Sequence, residues 1–491
     1  MSPLSTQSGR HLLDGTARVF LAGLLLPLTG IITAAFLTRR LGTDGYGLLV
    51  LAATLFGWFE FTINSFFSRA TIKFVGEAKD WHPVGETVIR LHVQAGVGGG
   101  LLLGLLALPL SWLFHEPQLA LYLALYAFHL PISSLSQGHQ NILIGIGNFH
   151  QKAVSNASRW IARLVLILCL VELGLSVPGA ILGSLGAAAV ELAVTRRYIT
   201  PPLLGRIAVP TRPFCDLGIV LGLSAMLLQM FSGLGLVMLK TLGGTIEEVG
   251  LYGAAQNLAI LPALFGTAFT PLLLSTVSRL LAEGKTEQAK DLGQGAMRIL
   301  TALFPFGALG AGASPEIVTW VFGRAFEPAA PILAILIVGA IAFVMVSVAA
   351  VIATVSGVPR FTLYVSVPLV LCLAIGNYVL IPAFGASGAA MATVLCQAIG
   401  AVAAIGVIYR LWSIIPPVGT LWRSVVISGL AYTLAVVWPA SGVLLLVKLA
   451  CIGVVILLAY LALREFSAEE IAQARSFLPW GALPVAQHEK L

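Results

Sequence analysis

Charge is scarce in this sequence. Asp, Glu, Lys and Arg make up 10% of its 491 residues, while 58% are hydrophobic. A soluble globular chain carries about 25% charged residues. A mean hydropathy of +0.96 leaves too little polar surface to cover a water-soluble core. Those two facts exclude a cytosolic enzyme and a disordered scaffold. Cysteine is also sparse: the five (Cys169, Cys215, Cys372, Cys396, Cys451) show no CxxC or Cys/His spacing, so a disulfide framework or zinc site has no basis. There is no P-loop, hence no site for ATP hydrolysis, and no Ser/His/Asp or paired-carboxylate constellation. The chain therefore reads as a non-enzyme, with no cofactor or metal expected. The formal charge of +7 is spread over short loops and not along one stripe, so no nucleic-acid partner is expected.

What is present is long apolar runs. About 20 apolar residues cross the hydrocarbon as a helix, whereas a membrane β-barrel shows weak alternating segments of about 10. Fourteen runs qualify: 17–38, 47–68, 88–114, 118–138, 158–176, 178–195, 217–240, 250–277, 296–321, 329–355, 361–383, 386–411, 424–440 and 442–463. The expected fold is all-α and polytopic. With the N-terminus placed in the cytoplasm, 23 of the 28 Lys and Arg fall in inside segments and four outside: Arg39, Arg40, Lys240 and Arg324. The remaining one, Lys448, lies within the last run and is expected to snorkel outward. That bias predicts both termini inside an inner (plasma) membrane. The first run lacks a cleavage site and reads as a retained helix. Ser467-Ala468-Glu469-Glu470 resembles a capping box opening a short tail helix.

Two stretches of the chain echo each other. Arg39-Arg40-Leu41-Gly42 followed by Tyr46-Gly47 parallels Lys240-Thr241-Leu242-Gly243 followed by Tyr252-Gly253. Gly147-Asn148-Phe149 leading to Tyr198 parallels Gly357 to Phe361 leading to Tyr409, and Arg69 parallels Arg279. Four matches in order at offsets of 201 to 212 indicate a duplication. Six spans per copy is even, so the copies share orientation as a parallel repeat. The expected organisation is a six-helix lobe (1–212), a second six-helix lobe (213–412), two further spans (413–463) and a tail (464–491).

At these residues the sequence resembles the multidrug/oligosaccharidyl-lipid/polysaccharide exporter superfamily, in its polysaccharide-flippase (Wzx-type) branch. The likeness rests on Leu41-Gly42 with Tyr46-Gly47, on Leu251-Tyr252-Gly253-Ala254-Ala255, on Pro271 with Ser278-Arg279-Leu280, and on Phe322-Gly323 before Phe326-Glu327-Pro328-Ala329-Ala330-Pro331. It continues through Leu380-Ile381-Pro382 to Gly385, then Gly388-Ala389-Ala390-Met391-Ala392-Thr393, and covers roughly 10–412. Where the family often has an acidic-x-Gly triplet, this chain has Glu60-Phe61-Thr62. The acid is kept and the glycine is not. The resemblance implies a flippase for polyprenyl-diphosphate-linked oligosaccharide, serving cell-surface polysaccharide or lipopolysaccharide synthesis by alternating access. Membrane lipid, and polymerase or glycosyltransferase machinery, are the implied partners. Two other readings stand beside it: a cation-coupled multidrug antiporter of the same superfamily, which wants a more acidic cavity, and a membrane-embedded glycosyl transferase or ligase, which wants larger outer loops.

Charge inside a membrane is costly and marks function by default. Glu60, within the second run, is a candidate for ion coupling or for neutralising a cavity arginine. Arg39 and Lys240 at outer ends, Arg69 and Arg279 at inner ends, and Arg18 at the start of the first run are candidates for the diphosphate, since Arg forks onto phosphate oxygens. Membrane-edge anchoring is their alternative role. Gln256 and Asn257 are candidates for sugar hydroxyls, or for interhelical hydrogen bonds. His92 and His129 lack partner ligands at metal spacing and read as buried structural residues. Gly96, Gly100 and Gly104 form a small-residue face for close helix packing.

Overall fold

The structure is a computed structural model. It describes residues 3–203, 205, 207–357 and 361–465, by backbone alone at 3–26, 217, 220–221, 224–225, 228, 262–269, 271–272 and 361–364. The tail's capping-box pattern lies outside the described residues, as does the side chain of Arg18. Among the described residues the secondary structure is helical, with no strand. That follows from the solvent: in lipid each backbone N–H and C=O needs an internal partner, which a helix supplies within itself.

Nine of these helices are long and apolar enough to cross a membrane, and three of them, 51, 48 and 48 residues long, are each two crossings. Spans 1 and 2 are residues 3–41 and 43–77, arms of Pro3–Glu77 on either side of Gly42, whose φ of 69° breaks the helix. Spans 11 and 12 are residues 361–384 and 386–412, joined likewise at Gly385, φ 55°. Glycine alone adopts such angles without Cβ strain, so a turn needing no loop separates two crossings. Span 3 is His82–Leu113 and span 4 Pro117–Gly145. Span 5 is Phe149–Leu170, running through a π turn, Val171–Leu175, into span 6, Ser176–Arg196. Span 7 is Arg212–Thr241. Span 8 comprises Ile246–Ala259 and Leu261–Ala282. Span 9 comprises Thr286–Ala302, Phe304–Gly312 and Ser314–Phe322. Span 10 is Ala330–Val355, span 13 Val418–Val437 and span 14 Leu444–Ala462. The fourteen crossings agree with the reading of the sequence. An even number puts Pro3 and Glu465 on one side, the near side.

The cores are unequal on the two sides. On the far side one cluster joins spans 1 to 8 with spans 9, 10, 11 and 12, from Leu37 and Tyr46 to Tyr252, Phe326 and Ile381. On the near side the packing divides. One cluster holds spans 2, 3 and 4 with Phe214 at the start of span 7, and another holds spans 8, 9, 10 and 12. The far side is thus closed by shared packing, and the near side is not. One tight far-side contact is Gly47 on span 2 against Gly250 on span 8. A Cβ on Gly47 would strike the Ile246 carbonyl, and one on Gly250 the Thr43 carbonyl. The sequence repeat aligned Gly47 with Gly253, but the residue that faces it is Gly250.

Spans 13 and 14 pack on span 9. Lys448 does not snorkel. Its fully buried ammonium meets Glu316 of span 9 at 2.7 Å. At the near end, Glu465 accepts bonds from Arg298 of span 9 and from Thr420 and Arg423 of span 13.

Candidate functional site

Spans 2, 4, 5 and 6 enclose a group of charges inside the first half of the chain. Arg159 sits at its centre, on span 5. Its guanidinium lies 3.5 Å from Glu60 of span 2 and 3.3 Å from Glu191 of span 6. Glu191 is held in addition by Ser136, at 2.9 Å, and by Gln140, both of span 4. It is buried and fully engaged. Glu60 is less so, with its Oε1 making no hydrogen bond among the described residues. Asn64 stands one helical turn below Glu60 on the same face, and its Oδ1 is likewise buried and unpartnered.

Arg163 lies one turn further along span 5 than Arg159. Its guanidinium is 5.7 Å from the ring centre of Trp160, and Arg159 lies 5.5 Å from the same ring. Arg163 makes no ion pair or hydrogen bond among the described residues. Arg159 takes both nearby carboxylates, which leaves Arg163 a cation without a counter-ion of its own. At 1.5 Å per residue it lies ~21 Å along the span from Phe149, two thirds of the way to Leu170.

His129 of span 4 is 2% exposed. Its ring stacks on Phe56 at 4.8 Å and on Tyr126 at 6.1 Å, and neither ring nitrogen has a partner. His92, in contrast, meets the Ser134 hydroxyl at 3.1 Å. Gly96 and Gly100 bring span 3 close to Pro131 and Ala127 of span 4, the close packing expected of that glycine face.

The second half offers no comparable group. Spans 10 and 11 carry no charged side chain, and those of spans 7, 8 and 12 (Arg212, Asp216, Lys240, Glu247, Glu248, Arg279 and Arg410) lie within five residues of a helix end. Two of the matched residues of the repeat instead act at the far side. Arg39 reaches across to span 9 and donates to the Trp320 carbonyl at 2.6 Å. Lys240 at the end of span 7 reaches back to Glu116, ahead of span 4, at 2.8 Å. Asn257 donates to the Tyr46 hydroxyl at 2.7 Å, again between spans 8 and 2, and Gln256 donates to the Ser232 carbonyl at 2.6 Å. Arg69 and Arg279 are both exposed toward the near side. Arg69 lies eight residues before the end of its helix and Arg279 three, so the two stand at different depths. Of the residues singled out in the sequence, only Glu60 and His129 belong to the buried group. Arg159, Arg163 and Glu191 were missed. The first two were counted with the near-side loops, because the polar stretch around them obscured a helix that begins at Phe149.

The model of the polysaccharide biosynthesis protein family matches residues 12–273, more than half of the chain. The chain belongs to this family. Its fold is that of the multidrug/oligosaccharidyl-lipid/polysaccharide exporter superfamily. The polysaccharide biosynthesis fold here resembles lipid II flippase MurJ in an inward closed conformation, with a TM-score of 0.72 at 13% identity over 91% of this chain and 97% of that one. The Vibrio cholerae MATE transporter VcmN gives 0.57 at 16% over 82% and 97%. A superfamily transporter from Pyrococcus furiosus, described as having a binding pocket of reversed polarity, gives 0.52 at 15% over 82% and 94%. No curated protein sequence matches the chain.

Proposed function

We propose that this chain is a flippase that carries a polyprenyl-diphosphate-linked oligosaccharide from the cytoplasmic to the outer leaflet of the inner membrane. The near side is then cytoplasmic, with both termini, and the two halves are lobes that rock about the far-side contacts. One observation carries the reading: Arg163 is a half-buried guanidinium on span 5 with no ion pair among the described residues, while Glu60 and Glu191 are both taken by Arg159. Such a charge is costly unless something anionic visits it. A diphosphate suits it in charge and in its forked geometry. The family match favours a glycan-bearing lipid over a cationic drug, and the cationic site does the same.

The closed far side and divided near side suit a state that loads from the cytoplasm. The far half of span 8 packs on the Pro3–Glu77 helix and on span 10, and its near half packs on spans 9 and 10. On this reading the lipid tail stays in the bilayer while the head group passes between the lobes. An inside-negative potential favours outward movement of an anion by about 2.3 kcal/mol per charge per 100 mV.

Proteoliposomes test the reading. With a fluorescent polyprenyl-diphosphate sugar in both leaflets, the purified protein should expose inner-leaflet label to an external quencher, and Arg163→Gln should slow this by tenfold or more, on the scale of a lost charge-assisted bond. Equal rates with and without protein would refute it.

A further inference from the structure

Buried polar atoms in native structures are almost always hydrogen-bonded, so a buried ring with two unpartnered nitrogens needs an explanation. His129 is such a ring. Phe56 and Tyr126 hold it by stacking alone, and both nitrogens are buried and free of partners among the described residues. The groups that act on it electrostatically are Glu60 from span 2 and Arg159 and Arg163 from span 5. On its own span Tyr126 is the titratable neighbour. From span 6, Glu191 is engaged by Ser136 and Gln140 about two turns away along span 4, and from span 3, His92 is engaged by Ser134. A stack without hydrogen bonds fixes the ring plane and leaves its N–H edge uncommitted, within the electrostatic reach of Arg163, which has no ion pair among the described residues.

We propose that His129 is a second ligand for the anionic head group, donating to a phosphate oxygen beside Arg163, and that binding takes up a proton at this ring. The inference rests on the reading of Arg163 as an anion site. A neutral imidazole has one N–H, whereas the doubly protonated ring has two and a positive charge. The arriving diphosphate supplies the negative charge that holds the added proton in place among two arginines. The proton comes from solvent and stays on the ring while the head group is bound, so no covalent bond changes. On this account the loaded carrier crosses with one charge fewer, and loading strengthens as the near side becomes more acidic.

Isothermal titration of the full-length protein in detergent with farnesyl diphosphate tests this, run in two buffers of different ionisation enthalpy. The wild type should bind with uptake of about one proton. His129→Phe keeps the stack and removes both nitrogens. It should melt like the wild type, bind about 10- to 150-fold more weakly, as for one lost charge-assisted hydrogen bond, and take up no proton. His129→Asn keeps a donor that cannot be charged, so it should bind with intermediate affinity and no uptake; it also serves if the Phe variant fails to fold. Wild-type affinity in His129→Phe, or proton uptake that persists in it, overturns the proposal. Absence of any binding by the wild type refutes the anion site itself, a separate failure.

Discussion

Lys240 holds Glu116 at 2.8 Å and ties the far end of span 7 to the start of span 4. Arg39, its counterpart in the repeat, ties span 1 to the Trp320 carbonyl of span 9. Each latch begins in one half of the chain and ends in the other. On the proposed flippase reading, both open before the head group leaves on the far side. Removing one partly buried pair should shift the balance toward far-side opening by about 1 kcal/mol, or roughly fivefold. In a background lacking the five native cysteines, Gln256→Cys should react faster with an impermeant maleimide from the far side when Lys240→Ala is added. Unchanged labelling would show that the latch bears no load.

The Gly47 and Gly250 contact is stricter, because the atoms a Cβ would meet are backbone. Backbone cannot swing aside as a side chain can. Overpacking a tight contact destabilises by about 1–3 kcal/mol. Gly47→Ala should therefore weaken far-side closure and raise labelling at Gln256→Cys, while Gly45→Ala, whose nearest contacts are the side chains Leu41 and Val177 at 3.1 and 3.7 Å, should do so less. Equal effects of the two would contradict the assignment.

The crossings were legible because apolar runs of sufficient length have one stable form in lipid. Even the loopless joints at Gly42 and Gly385 fell between predicted runs. Glu60 was legible for the same reason, as a carboxylate isolated in apolar sequence. Arg159 and Arg163 were not. Lys152, Asn156, Ser158 and Arg159 follow one another in a stretch that has the composition of a loop, and the partners of Arg159 within the helix bundle, Glu60 and Glu191, come from other spans. Sequence distance hides such partners. The matched cations were legible as a pair, but their role as cross-links depends on Glu116 and the Trp320 carbonyl, which no periodicity reveals.

Glu465 gives a pH dependence outside the membrane. Burial pushes its carboxyl up, but hydrogen bonds from Thr420, Arg423 and Arg298 outweigh this and hold it below the ordinary glutamate value of 4.5. A depressed acid contributes stability that is present above its unfolded value and lost as pH falls through the folded one. The wild type should thus lose melting temperature on acidification below pH 4.5. Glu465→Gln should start about 1–3 kcal/mol less stable at neutral pH, since it leaves two arginines without their carboxylate. The difference should shrink below that pH. Parallel melting curves across pH 3 to 8 would argue against the clasp.

Arg159 and Arg163 should separate stability from binding. Arg159→Gln strands the buried Glu191 and the half-buried Glu60 and should destabilise by about 3 kcal/mol, seen as a lower melting temperature in detergent. Glu60→Gln in the same background should recover part of it, because one of the stranded charges is then gone. No recovery would mean that Glu60 is not held by Arg159.

Farnesyl diphosphate affinity of Arg163→Gln, measured beside its melting temperature, bears most directly on the anion site. Arg163 has no carboxylate to strand, so the variant should melt at or above the wild-type temperature. It should bind about 10-fold or more weakly, the scale of a charge-assisted bond, and Arg163→Lys should recover only part, lacking the planar fork. Wild-type affinity in Arg163→Gln, with the protein folded, would contradict the assignment of this arginine as the seat of the diphosphate.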